Sequence, residues 1–161
     1  MAHVPHPSII AGWREWVGLP ELGIEWIKAK LDTGARSSSL HAYDIEPIAG
    51  PAGRPDRVRF RVRPWQDSDE DAVVHECDVH DIRVVRSSSG HAQERYVVLL
   101  EVALMGRTIT AEVTLSNRDE MGFRMLVGRQ ALRQGFVVDS ALSFAGGRAP
   151  APVRRNNRGR G

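Results

Sequence analysis

The sequence predicts an all-β domain with one short helix near its C-terminus, on three observations. Apolar and polar residues alternate through Ile24 to Leu31 (IEWIKAKL) and again through Val58 to Val62 (VRFRV), the period-2 mark of half-buried strands. Tyr96 to Met105 and Thr108 to Leu115 are two more strand-like runs, meeting at Gly106-Arg107 as a hairpin would. Aromatic residues are sparse at 6%, while 15 glycines and 9 prolines favour many turns over a helical bundle. A length of 161 residues suits one domain able to bury a real core.

Taken in order, residues 1–20 begin with prolines and histidines and are expected as an N-terminal extension to a domain spanning 21–144. The strand Ile24 to Leu31 runs into Asp32-Thr33-Gly34-Ala35, where the glycine permits a sharp change of direction. Asp44 to Asp56 is rich in Pro and Gly and Trp65 to Asp71 is acidic, so about 44–72 reads as a loop insertion around the short strand 58–62. Val73 to Val85 holds one or two strands, followed by the polar segment Arg86 to Arg95, a hairpin with a long polar tip. Met125 to Val127 is a short buried run, then come Gly128, a helical turn from Arg129 to Gln134, and a last strand from Phe136 to Phe144.

The overall charge of +2 misleads. Residues 145–161 (AGGRAPAPVRRNNRGRG) hold five arginines and no acid, so removing them leaves 22 − 5 = 17 basic against 20 acidic residues, a body charge of −3. Such a composition buries too little apolar surface to offset chain entropy, and the segment is expected to be a disordered Arg-rich tail. It is the one part suited to nucleic acid, through phosphate charge alone. The single Cys77 rules out an internal disulfide and fits a reducing compartment. No apolar stretch follows a basic region at the N-terminus, and the longest apolar run, Tyr96 to Leu100, is far too short to span a bilayer. A cytoplasmic protein without a membrane partner is expected.

The segment richest in chemistry is Leu31-Asp32-Thr33-Gly34-Ala35, a carboxylate at a strand end with hydroxyl and amide donors beside it. Alone it is equally an ordinary turn in which Asp bonds its own backbone. Far downstream stands Met125-Leu126-Val127-Gly128-Arg129-Gln130-Ala131-Leu132, an apolar run, Gly, Arg, then a short helix. In this order the chain resembles the retropepsins, half-size aspartic peptidases in which an apolar strand ending in Asp-Thr-Gly-Ala precedes a glycine-tipped flap. An apolar-apolar-Gly-Arg segment then opens the only helix, and a terminal strand follows. The wording of Lys30 to His41, Ser116 to Met121 and Leu126 to Arg129 is similar to one bacterial group, labelled ATP-dependent zinc proteases and also called RimB-like. The resemblance implies a closed retropepsin-like barrel with one short C-terminal helix, a single domain acting as a homodimer.

That resemblance makes Asp32, Thr33 and Gly34 the catalytic set. Aspartic peptidases need two carboxylates sharing one proton, because like charges that close do not both ionise. A chain with one Asp-Thr-Gly must take its second carboxylate from a twin. Thr33 would tie the two loops together across the axis, its bland role being a local turn hydroxyl. Ala35, Arg36, Arg86, Ser88, Ser89, Gly90 and Arg95 are the candidate substrate contacts. Viral retropepsins carry an acidic residue where this chain has Arg36; Arg83, Arg86, Arg95 and Arg118 lie on or near the flap and its neighbours. Guanidinium groups suit an acidic, glutamate-rich peptide, and the RimB-like resemblance implies partnership with a RimK-type glutamate ligase. Each arginine taken singly also serves to balance the acidic body. Gly128 and Arg129 are expected as a structural brace, Arg129 buried at the helix start.

No cofactor or metal is expected. The sequence has neither a phosphate loop ending in Gly-Lys-Ser/Thr nor a His-Glu-x-x-His helix. His75, Cys77 and His80 are the nearest approach to a metal set, and strand alternation would send His80 to the face opposite the other two. The serine runs 37–39 and 87–89 lack a nucleophile elbow and read as loop. Two alternatives stay open beside the peptidase: a retropepsin-fold module that binds glutamate-rich tails or a ligase without cutting, and a metal-dependent peptidase.

Overall fold

Strand β1 (Ile9–Gly12) and β2 (Arg14–Leu19) open the chain, and a 3-10 turn at Pro20–Leu22 leads into β3 (Ile24–Leu31). After the Asp32 loop come β4 (Ser38–His41), β5 (Tyr43–Ala49), β6 (Pro55–Val62), β7 (Val73–Asp78), β8 (Asp81–Arg86), β9 (Ala92–Leu104) and β10 (Arg107–Ser116). The chain then forms β11 (Met125–Val127), helix α1 (Arg129–Leu132), β12 (Phe136–Asp139) and helix α2 (Ala151–Arg155). This computed structural model describes residues 8–65, 70–86, 90–117 and 122–157.

Six strands close a barrel in the order β10-β4-β11-β3-β2-β9, with β9 pairing back to β10 and β8 attached outside β9. The alternation of the sequence decides which residues fill it. Val98, Leu100, Val102 and Leu104 from β9, Ala111, Val113 and Leu115 from β10, and Ile27, Ala29 and Leu31 from β3 all point inward, none more than 4% exposed. The β9–β10 hairpin turns on Met105 and Gly106, both with positive φ (50° and 81°), the type I′ geometry that matches strand twist. A second sheet, β5-β6-β7, lays Val58, Phe60 and Val62 onto the same core. The intervening Arg57, Arg59 and Arg61 pair outside with Glu76 and Asp78, Glu46, and Asp44. No helix among the described residues is long and apolar enough to cross a membrane.

The all-β barrel agrees with expectation; several boundaries do not. Residues 1–20 are not an extension from Ile9 onward. There β1 pairs in parallel with β12, and β2 pairs with both β3 and β9. The 44–72 insertion carries most of β5 and all of β6: its Pro47 lies on the edge strand β5, where a missing N–H is tolerated, and Gly50 to Gly53 form the turn; residues 66–69 of the expected acidic loop lie outside the described residues. The last strand stops at Asp139, whose carbonyl and carboxylate accept the Leu142 and Ala141 amides in a turn. There is a second short helix, α2, inside the stretch expected to be a disordered tail.

Residues 145–157 of the tail are part of the fold, and a buried carboxylate holds the start of the segment. Glu15, 1% exposed, accepts the Gly12 and Ala145 amides at Oε2 (2.7 and 2.8 Å) and the Gly146 amide at Oε1 (3.0 Å). Ala149 and Asn157 are buried beyond it, and the Lys28 ammonium donates to the Asn157 carbonyl at 3.3 Å. Composition alone hides this, since the donors are backbone groups. Replacing the carboxylate by an amide turns an acceptor oxygen into an NH2 facing N–H donors. Glu15→Gln is therefore expected to destabilise the fold by about 2–3 kcal/mol, read from the urea midpoint. Proteolysis should then begin within residues 145–157.

Candidate active site

Asp32 stands one residue beyond β3, at the end of the barrel. Its amide donates to the Val127 carbonyl at 2.9 Å, and the Leu31 amide donates to Trp13 at 2.8 Å. Strand β11 makes this possible by lying between β3, parallel to it with Val127 opposite Leu31, and β4, antiparallel with Met125 opposite Leu40. Asp32 is half-buried. Its Oδ1 accepts the Gly34 amide at 2.9 Å, and a Cβ on Gly34 would come within 3.1 Å of that oxygen. The loop thus aims the carboxylate with its own backbone while Thr33 and Gly34 stay exposed.

The start of α1 holds this loop from behind. Gly128 packs so closely that a Cβ there would lie 2.4 Å from the Ser37 carbonyl oxygen and 2.9 Å from that of Ala35. Its φ of −96° is open to any residue, so lack of room is what requires glycine. The Gly128 amide donates to the buried Ser38 hydroxyl (3.0 Å), and the Arg129 and Gln130 amides donate to the Ala35 and Arg36 carbonyls (2.7 and 2.9 Å). Arg129 Nη1 reaches the Thr33 carbonyl at 3.0 Å. Arg129 is exposed, contrary to the expected burial, because the tight interior position is filled by Gly128 and the guanidinium crosses the loop from outside. Ser38, read from sequence as plain loop, is a structural acceptor; only its place ahead of the apolar Leu40 hinted at a strand.

Asp32, Thr33, Gly34, Ala35, Arg36, Gly128 and Arg129 are therefore one assembly. Arg36 is exposed on it. Arg95 lies on β9 opposite Arg83, and among the described residues no hydrogen bond joins it to the Asp32 loop. Arg83 is engaged by Asp81 (3.0 Å) and Glu112 (2.9 Å). The hairpin arms β8 and β9 pair up to Arg86 opposite Ala92, and Gly90 is exposed with φ 83°. The Arg86 side chain, Ser88, Ser89 and Arg118 lie outside the described residues.

His75, Cys77 and His80 do not converge. The His75 ring meets Phe60 edge-on at 5.7 Å, and burial holds its pKa below the usual 6.5. Burial also pushes the Cys77 thiol up to about 11. His80 lies apart, its Nε2 3.6 Å from Glu112. Among the described residues no group of three or more His, Cys, Asp or Glu is placed to hold a metal ion.

The family described as RimB-like, "Retropepsin-like aspartic endopeptidase RimB", matches residues 10–149. A protein of Shewanella pealeana named "Probable alpha-L-glutamate ligase" is 42% identical over 137 residues, 85% of this chain and 30% of that protein. One of the same name from Desulfotalea psychrophila is 40% identical over 136 residues, 84% and 29% of the two chains. The chain thus spans about a third of the length of these curated relatives. A crystal structure of a Legionella pneumophila protein of unknown function superposes with a TM-score of 0.68 at 32% identity, covering 86% of this chain and 98% of that one.

Two outcomes follow from the site. Gly128→Ala must displace the Asp32 loop, and overpacking of this kind costs about 2 kcal/mol; its thermal midpoint is expected to fall accordingly. For His75, the unfolded chain binds a proton more readily than the folded one, so the stability it confers is complete above pH 6.5 and is lost as pH falls below that value. The drop in urea midpoint between pH 7 and 5 is expected to be smaller in His75→Leu than in wild type.

Proposed function

The chain belongs to the RimB-like family of retropepsin-like aspartic endopeptidases, and on that premise we propose that it hydrolyses peptide bonds in glutamate-rich peptides with two Asp32 carboxylates, one from each copy of a homodimer. The observation that carries this reading is a half-buried Asp32 fixed through Val127 and Gly34 at the end of the barrel. One ionised Asp32 takes a proton from water as the oxygen attacks the scissile carbonyl carbon. The protonated partner donates to the carbonyl oxygen, and the tetrahedral diol collapses as a proton passes to the leaving nitrogen. Thr33 links the two loops across the axis, and Arg36, Arg86 and Arg95 receive substrate carboxylates.

The β1–β12 ribbon supports the dimer. Ile10 and Val137 are opposite each other in register and 56% and 51% exposed, an apolar pair that a second copy would cover. Trp13, directly after β1, also holds the Leu31 amide, so this ribbon and Asp32 share one anchor. The names of the curated relatives favour a second reading, in which the domain binds a glutamate-rich tail beside a ligase without cutting it.

The test is mass spectrometry of an oligo-glutamate peptide incubated with wild type and with Asp32→Asn. Cleavage by wild type alone, with activity per chain falling on dilution, is the expected result, and the loss in Asp32→Asn should exceed a thousandfold (roughly the scale of removing one member of a catalytic set). Equal cleavage by both proteins would remove Asp32 from the mechanism. Binding without cleavage by either would favour the second reading.

A further inference from the structure

A cation-lined cavity lies away from the Asp32 loop, on the outer side of β2 and β3. In register, Arg14 stands opposite Lys30 and Trp16 opposite Lys28. The C-terminal segment returns over this surface. Arg14 Nε donates to the Ser143 hydroxyl at 3.2 Å, and Phe144 stacks on Trp16 with centroids 5.7 Å apart and planes at 22°. Between them is a cavity of about 310 Å³ lined by Arg14, Lys28, Arg148, Arg154 and Asn157 beside that aromatic pair, with no acid among the described residues of its wall. The Arg154 Nε is buried and has no hydrogen-bond partner among the described residues.

The guanidinium groups of Arg14, Arg148 and Arg154 around one cavity repel each other, and a buried guanidinium N–H without an acceptor adds a desolvation cost. An anion in the cavity relieves both. We propose that this cavity is a second binding site for substrate, taking carboxylates of an acidic peptide; the proposal rests on the peptidase reading and extends it to a contact outside the cleft. Lys28 and Asp32 are four residues apart along β3 and its exit, about 13 Å at strand rise, so one extended acidic segment spans cavity and catalytic loop. Carboxylates fit better than nucleic acid. The aromatic surfaces are engaged within the protein, Phe144 by Trp16 and by the Arg14 guanidinium at 4.9 Å, which leaves no platform for a base. The body of the chain is also net negative, 17 basic against 20 acidic residues before position 145.

The test is fluorescence anisotropy of a labelled hexaglutamate peptide on full-length Asp32→Asn, where nothing depends on cleavage. Arg148 is exposed at the cavity, so Arg148→Glu is expected to keep the melting temperature while weakening peptide binding at least tenfold. Arg148→Lys should retain binding within a few-fold, and a hexaglutamine peptide should not bind. Unchanged affinity in Arg148→Glu overturns the proposal. So does an RNA hexamer or inorganic phosphate that displaces the peptide at equal concentration, which would assign the cavity to phosphate. Wild type that fails to cut the peptide while Arg148→Glu still loses binding would sink the peptidase reading and leave this site standing.

Discussion

The placement of Asp32 depends on one close approach, Gly128 against the backbone of Ser37 and Ala35. Strand β11 is only three residues long, yet it pairs with β3 on one side and β4 on the other. It can lie there only if the chain leaving it passes directly beneath the loop that joins those strands. A side chain at 128 would push that loop away, and with it the amide that holds Oδ1 of Asp32. The three amides at the start of α1 then meet Ser38, Ala35 and Arg36 in turn. Helix α1 is too short to be stable by itself. The loop carbonyls give its first N–H groups partners and are ordered by them in return.

In the proposed mechanism each chain supplies one carboxylate of a pair. Two carboxylates facing each other must share a proton, and the sharing is what gives one the role of base and the other of acid. A fold that supplies one such group needs an interface that brings a twin to the same axis. The β1–β12 ribbon is suited to that because it lies outside the barrel order and exposes apolar residues without opening the core.

Much of this was legible in the sequence, and the reason is local. Apolar alternation in Ile24 to Leu31 and the strand-like runs from Tyr96 to Leu115 follow burial closely enough that β3, β9, β10 and the hairpin between the last two could be read directly, although Lys28 is buried between Ile27 and Ala29. Asp32, Gly34 and Gly128 were legible because each stands in a short motif whose spacing reflects one contact. The missed parts depend on partners distant in sequence. Strand β1 is four residues long and becomes a strand only beside β12, over 120 residues later. The C-terminal segment has the composition of a solvated tail, and it joins the fold through partners distant in sequence, Glu15 from 130 residues earlier and Lys28 at the Asn157 carbonyl. Arg129 was expected to be buried because a conspicuous Arg after Gly suggests an interior brace; its length lets it brace Thr33 from the surface instead.

Glu15 and Asp32 show how a structural carboxylate differs from one placed for the proposed chemistry. Glu15 accepts three backbone N–H groups, two at Oε2 and one at Oε1, and at 1% exposure it is closed off from solvent. Asp32 accepts one backbone N–H and is half-buried at an open edge. An acceptor with lone pairs to spare beside solvent can bind and polarise a water molecule; one closed off from solvent cannot. Proximity to a glycine-rich turn is common to both, since Glu15 also sits beside Gly12 and Gly146. Their difference lies in the number of donors each backbone presents, and that number is set by the strands on either side rather than by the motif itself.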